Sequence, residues 1–334
     1  MALSSFSLGV SLSYDANPFA DDETEVAEGT EEEGEEEEKE PVENFTVEGV
    51  MYHVTAEDVV EVEGAEADAT SIVIPKEVEY EEVTYKVTTI IEKAFSKNVT
   101  LAKVEVSEGV EKIGDSAFES CSRLESVIIP KSVKELGQSL FSGCDRLAKV
   151  EIGCDVKEID KNLFSNCTGL ETLELKGDIG KIAESVFEGH KKLKSVTFEG
   201  NIDEIGKNAF KDCISLDTFD LNQRKTVKKM GESAFEGCTS LKKFFIPGSV
   251  EVIEKSTFKG CEKLVDLEIE TGVKEIGESA FEGCSSLEKV TIPSTVKRVG
   301  EMAFKDCAKL TTVELDEGVE EIGDSAFVGC TNLT

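Results

Sequence analysis

IGESAFEGCSSLEKVTIP, running from Ile276 to Pro293, is the stretch that most of the chain repeats. Its Phe recurs at Phe95, Phe118, Phe141, Phe164, Phe187, Phe210, Phe235, Phe258, Phe281, Phe304 and Phe327, at intervals of 23 residues except for a step of 25 between Phe210 and Phe235. A fixed period of this size marks a solenoid and outranks any local secondary-structure reading. With Phe as position zero, Cys stands at +3 in nine copies and Leu follows at +6, as in Leu124, Leu147 and Leu287. Apolar residues return at +9 and +11, as in Val290 and Ile292, and Pro closes the run at +12 in Pro130, Pro247 and Pro293.

Positions 0, +3 and +6 advance like one tight helical turn, which puts Phe, Cys and Leu on one face. Positions +9 and +11 alternate with strand period two, and Pro ends a strand because it lacks the ladder N–H. One coil is therefore a short strand, a bend, an extended piece and a helical turn. A lone coil cannot bury its apolar face, but stacked coils can, with strands about 4.8 Å apart in a parallel sheet.

The pattern I-G-x-x-A-F-x-x-C-x-x-L-x-x-V-x-I-P resembles the BspA-like (Treponema pallidum-type) leucine-rich repeat, over about residues 85–334. The resemblance implies a repeat solenoid of the leucine-rich-repeat type. A parallel sheet would form one face, short helical turns and extended pieces the other, and a β cap the N-terminal end. It also implies a cell-surface role like that of bacterial and protist surface proteins that bind host matrix or other cells.

The whole chain of 334 residues carries a formal net charge of −34. That argues against nucleic acid and anionic membranes, whose affinity rests on Lys and Arg. Basic proteins, cations and neutral partners stay open. Nine of the ten cysteines share one repeat position. Stacked coils bring them within disulfide distance, but parallel side chains point into the core and not at each other. A buried, reduced ladder is the expected state, with bridges as the alternative. Cys154 stands outside the ladder and is expected to be a partly exposed bystander, with reactivity as its sharper reading.

Residues 1–43 read as a disordered acidic tail, with thirteen acidic residues and one Lys between Asp21 and Glu40. Within it, Asn17, Pro18 and Phe19 resemble the Asn-Pro-Phe peptide recognised by EH-domain proteins of membrane traffic. Chance is the competing reading of so short a motif. The first fourteen residues contain no Lys or Arg, unlike a secretory signal. Residues 44–94 read as the cap, with strands over Phe45–Val54 and Asp58–Gly64. Residues 95–334 read as the array, whose last repeat lacks its strand. Such an end is expected to expose apolar surface and a sheet edge, to self-associate, or to belong to a fragment.

Three coils deviate. Asn98 and His190 occupy the Cys position, and His190 reads as an accommodated substitution or, less simply, a ligand between Cys167 and Cys213. The two-residue insertion near Asn222–Thr226 gathers Arg224, Lys225, Lys228 and Lys229. This basic patch is a solvated bulge or a contact for an acidic partner.

Positions +8 and +10 must face out of the sheet. They give a candidate protein-binding face that includes Ile128, Lys149, Glu151, Glu174, Asp220, Phe245, Glu268, Lys289 and Glu314. Phe245 and Ile128 interrupt its polar columns. Phe245 is either an anchor for a partner or a ring laid sideways on the next coil. No phosphate loop, HExxH or CxxC motif occurs, and the two histidines, His53 and His190, lie far apart. The expectation is a non-catalytic protein-interaction solenoid without cofactor or metal, acting in adhesion or surface binding. The alternatives are an intracellular scaffold or trafficking adaptor using Asn17-Pro18-Phe19, and a structural assembly subunit. The location stays open. The resemblance favours the cell surface, while free cysteines and the missing signal favour the cytoplasm. Glycans on the sequons at Asn44, Asn98, Asn166 and Asn332 would exclude the cytoplasm.

Overall fold

The computed structural model describes residues 43–221 and 227–334. From Phe95 onward each 23-residue unit makes one coil of a β-solenoid, named here by its Phe. The open-face strands include Ser71–Ile74, Lys103–Val106, Ser126–Ile129, Lys149–Ile152, Thr172–Leu175, Ser195–Phe198 and Thr218–Asp220, which stack in that order as one sheet. Later strands pair as Lys243–Ile246 with Asp266–Ile269 and Lys289–Ile292 with Thr312–Leu315. The pairing between array coils is parallel and in register, as in Val127 beside Val150. Within most strands the +9 and +11 side chains are buried and the +8 and +10 side chains face solvent or are half-buried, as at Lys289–Ile292; Leu267 and Val313 are half-buried and Leu315 of the last strand is exposed.

The extended pieces form a second parallel column of short strands, such as Lys112–Ile113, Ile179–Ile182 and Glu275–Ile276. The helical turn expected between Phe and Leu is a chain of tight turns, and no helix forms among the described residues. In the Phe118 coil, Glu119, Cys121 and Leu124 each donate to the carbonyl three residues back, at 3.0, 3.2 and 3.1 Å. The bonds do not run on from residue to residue, because Ser116 (φ 54°) and Ser120 (φ 59°) are left-handed and break helix propagation. The +2 position is left-handed in every coil, filled by Gly143, Asn166, Asp212 or Gly283 among others. Its amide reaches the next coil, as Ser120 N–H does to Ser142 O at 2.7 Å.

Inside, the phenylalanines from Phe95 to Phe304 are buried and stack in a continuous ladder. Centroids lie 5.1 Å apart at Phe187–Phe210 and 5.8 Å at Phe118–Phe141. All ten cysteines are free thiols, buried except for the half-buried Cys330. Each ladder thiol donates to the carbonyl of the Phe one coil back, at 3.0 Å for Cys121 to Phe95 and 3.3 Å for Cys284 to Phe258.

The open surface between coils is closed by glycine. A Cβ on Gly137 would sit 2.4 Å from the Gly114 carbonyl carbon, and one on Gly300 would sit 2.6 Å from that of Gly277. From the Phe118 coil onward, three coils depart from Gly at this position: Ala183 keeps the inter-coil amide bond, to Ile159 O at 3.0 Å, whereas Asp160 and Glu254 do not. The second sheet is interrupted at those two places, between Glu135–Leu136 and Val156–Ile159 and between Lys229–Met230 and Val252–Ile253. The inter-coil amide bond made by Gly137 to Ile113 O (2.8 Å) and by Gly300 to Ile276 O (2.7 Å) has no counterpart at Asp160 or Glu254 among the described residues. The single methyl of Ala183 is accommodated, whereas the longer side chains of Asp160 and Glu254 stand where the coils part. A 660 Å³ hollow lined by Leu136, Gly137, Asp160 and Leu163 marks the first break.

Six strands precede the Phe118 coil's array neighbours: β1 (Asn44–Val47), β2 (Val50–Ala56), β3 (Val59–Ala65), β4 (Ser71–Ile74), β5 (Glu77–Tyr80) and β6 (Val83–Ile90). The stretch expected as one strand over Phe45–Val54 is a hairpin. Glu48 (φ 50°) and Gly49 (φ 77°) make the two-residue left-handed turn that joins antiparallel strands. β3 and β6 pair in parallel, and β6 continues into Lys112–Ile113 of the second column. Phe45 packs on Tyr52, Tyr80 and Tyr85, with centroids 5.3, 4.4 and 5.3 Å away. β4 supplies the first strand of the open sheet and covers Lys103–Val106.

Candidate protein-binding face

The +10 column is one row of register partners through the first sheet: Val73, Glu105, Ile128, Glu151, Glu174, Thr197 and Asp220. It resumes with Phe245 beside Glu268, then Thr291 beside Glu314. The structure thus sets the residues expected from the repeat on one surface. It adds Val73, 49% exposed, two rows from Ile128 at 37%. Its signal was SIVIP at Ser71–Pro75, which already follows the strand pattern and places Val73 at +10.

Most charges on this surface are matched between coils. Lys149 Nζ lies 2.8 Å from Glu174, Lys176 lies 2.6 Å from Glu151, and Lys289 lies 2.6 Å from Glu314. The hydrogen bond from Lys149 holds the Glu174 carboxyl below its usual range, and that from Lys289 does the same for Glu314. Exposed pairs of this kind contribute little stability each. Their effect is to leave the face nearly neutral where they occur, with apolar Ile128 standing among them. Ile128 borders a 630 Å³ depression together with Glu105, Pro130, Lys131 and Glu151.

Phe245 is half-buried, and its ring does not lie on another aromatic ring. The adjacent Phe244 points inward and packs against Phe219, Phe235 and Phe258. Phe245 instead borders a 120 Å³ hollow with Asp220, Leu221, Lys243, Asp266 and Glu268.

Other candidates distribute differently. Arg224 and Lys225, and the tail motif Asn17, Pro18 and Phe19, lie outside the described residues. Lys228 pairs with Asp203 at 2.8 Å and Lys229 with Glu204 at 3.6 Å, so both described lysines of the basic patch already face carboxylates. Cys154 is 2% exposed, which corrects the expectation of a partly exposed thiol. Burial in the core pushes it up to about 11, so the thiolate needed for reaction is suppressed. His190 takes over the ladder bond, its Nε2 lying 3.3 Å from Phe164 O, and burial lowers its pKa. It is a substitute donor at the cysteine position. Asn98, in the first coil, instead accepts from Thr100 and Leu101 and closes its own turn. No group of three or more metal-ligating side chains stands together among the described residues.

A BspA type leucine-rich repeat region, in six copies, matches residues 88–217 and 205–334, which is more than half of the chain. The chain belongs to the BspA-type leucine-rich repeat family. Solved structures similar to it include a leucine-rich repeat protein of Bacteroides ovatus, 27% identical over 87% of this chain and 93% of that one, with a TM-score of 0.41. A leucine rich cell surface protein of Faecalibacterium prausnitzii is 22% identical over 88% and 94%, with a TM-score of 0.43. The T. pallidum leucine-rich repeat protein is 23% identical over 73% and 90%, with a TM-score of 0.38. No curated protein matches the chain. As a BspA-type solenoid it has the architecture of a protein-interaction scaffold, and no helix among the described residues is long and apolar enough to cross a membrane.

Proposed function

We propose that this BspA-type solenoid is a non-catalytic binding protein that engages a protein ligand through its open sheet face, in adhesion or surface attachment. The carrying observation is the pair of apolar breaks, Ile128 and Phe245, on a face whose remaining charges are largely matched between coils. Anchors of this kind, set in a polar surround, supply most of the energy of protein contacts. The test compares the double variant Ile128→Ser/Phe245→Ala with a control pair, Val99→Ser/Val265→Ser, whose residues are exposed elsewhere on the coils. A ligand captured by the wild-type chain should bind the face variant at least tenfold more weakly and the control unchanged. Equal binding of both variants sinks the reading.

A further reading rests on a single observation. Asn17, Pro18 and Phe19 between acidic residues support a trafficking adaptor that binds an EH-domain protein. Glycans on the exposed Asn44 or Asn166 of the native protein would rule that location out.

A further inference from the structure

The face is not uniform in charge, and its exception surrounds its aromatic residue. Along the +10 column, Glu105, Glu151, Glu174 and Glu314 each hold an ion pair with a lysine. Among the described residues Glu268 holds none, and neither does Asp266 at +8 in the same strand. Both are exposed, and neither makes a side-chain hydrogen bond among the described residues. They flank Phe245, which is the register partner of Glu268. Lys243, the register partner of Asp266, is the one cation among the described residues that line the hollow, beside the Asp266 and Glu268 carboxylates.

The backbone opens the surface at the same place. The strands Thr218–Asp220 and Lys243–Ile246 are consecutive rows of the face yet belong to different sheets. The ladder is interrupted here, where the repeat step lengthens from 23 to 25 residues, and again between Asp266–Ile269 and Lys289–Ile292, where it does not. The hollow beside Phe245 lies at the first interruption, lined from both sides of it by Leu221 and Phe244. An aromatic face, unmatched carboxylates beside it and a gap to receive a side chain together fit a flat or compact cation.

We propose that Phe245, Asp266 and Glu268 form the specificity site of the sheet face, and that it takes an arginine or lysine side chain presented by an extended basic segment of a partner protein. This rests on the reading of the sheet as the binding face and names the class of ligand. The cation stacks on the exposed side of the Phe245 ring while its N–H groups donate to the Asp266 and Glu268 carboxylates. An anionic partner meets repulsion from the same carboxylates. The matched pairs along the rest of the row offer a second basic residue no comparable gain, so one cationic side chain should dominate.

The full chain is titrated with a fluorescein-labelled octapeptide that alternates arginine with serine, and with its glutamate counterpart, at about 0.15 M salt to screen the distant charges. Only the arginine peptide should bind. Phe245→Leu, which keeps the bulk and removes the aromatic face, should weaken it about fivefold, and Phe245→Trp should restore or exceed wild-type affinity. Asp266→Asn with Glu268→Gln should weaken it about tenfold, whereas the exposed cap pair Glu57→Gln/Glu79→Gln should have no effect. Hydrogen exchange with the peptide bound should protect Lys243–Ile246 and Asp266–Ile269. If the cap pair weakens the peptide as much as the hollow pair, or Phe245→Leu does nothing, binding is diffuse attraction to an acidic chain and the site does not exist. That failure leaves the result of the Ile128→Ser/Phe245→Ala ligand test standing, so the two ideas fail separately.

Discussion

The Cys144 thiol donates to the carbonyl oxygen of Phe118, one coil back, at 3.0 Å. The same bond recurs from Cys121 to Cys330, with His190 acting in its one gap. The carbonyl already accepts the Cys121 amide, so the thiol satisfies its second lone pair within the buried core. The ladder cysteines are thus small apolar fillers with a donor. Cys261→Val, near-isosteric but without the S–H, should lower stability by about 1 kcal/mol, and Cys261→Ala by about 2 kcal/mol or more because it also leaves a cavity. Amide exchange in the Phe235 and Phe258 coils is the measurement, since coils couple mainly to their neighbours. Equal exchange in wild type and Cys261→Val would deny the bond any energetic role.

Burial in the core raises the thiol pKa values, to about 12 for Cys167 and Cys307 and well above the usual range for Cys238, Cys261 and Cys284. A raised folded value means the stabilising difference is whole below the ordinary thiol pKa and is lost as pH climbs from there toward the folded value. Each buried thiol contributes up to about 1.4 kcal/mol per pH unit in that window. Melting temperature should hold from pH 7 to 8 and fall steeply above about pH 9. Replacing Cys261 and Cys284 by Val should flatten the fall. Identical alkaline slopes would refute it.

Gly137 and Gly300 lie against the preceding coil's backbone, where a Cβ would come within 2.4 and 2.6 Å of it. Gly300→Asp should therefore open the second sheet between Glu275–Ile276 and Arg298–Val299, at a cost of about 1–3 kcal/mol, whereas Gly300→Ala should be milder, since Ala183 at the same repeat position keeps its bond to Ile159 O. Asp160→Gly should do the reverse, closing the gap beside Leu136 and slowing amide exchange there. A crystal structure of Asp160→Gly with the ladder still broken would show that the aspartate side chain is not the wedge.

Periodicity carried the coil, because burial repeats with the coil: Phe281, Cys284, Leu287, Val290 and Ile292 are all buried. It carried the face for the same reason, since residues between inward positions on a strand must point out. The turn geometry was less legible. Phe, Cys and Leu at three-residue intervals suit a helix, and what forbids one is the left-handed backbone at Ser279 and Gly283, residues that look merely polar and small. The sheet breaks at Asp160 and Glu254 were visible as departures from Gly, but only close backbone contact gives the departure meaning. Charge matching was illegible, because Lys149 and Glu174 stand in different coils and pair only once the register is fixed. The unmatched state of Glu268, on which the specificity site depends, follows from that same register.

His190 gives the last prediction. It fills a cysteine position, is half-buried, and has its pKa lowered mainly by burial, which penalises the imidazolium. With the folded value below the unfolded one, the unfolded chain takes up the proton first as pH drops. The stability held above about pH 6.5 is therefore lost progressively as pH falls from there toward the folded value, by up to about 1.4 kcal/mol per unit. His190→Cys keeps a donor for Phe164 O and removes the titration. The many carboxylates of the chain titrate alike in both proteins, so the difference between them isolates His190. Unfolding by urea at pH 7.5 and 5.5 should show the variant losing less stability between the two than wild type does. If the two lose the same amount, His190 is already protonated and solvated at pH 5.5 in the folded state, and the Phe187 coil is looser than its neighbours.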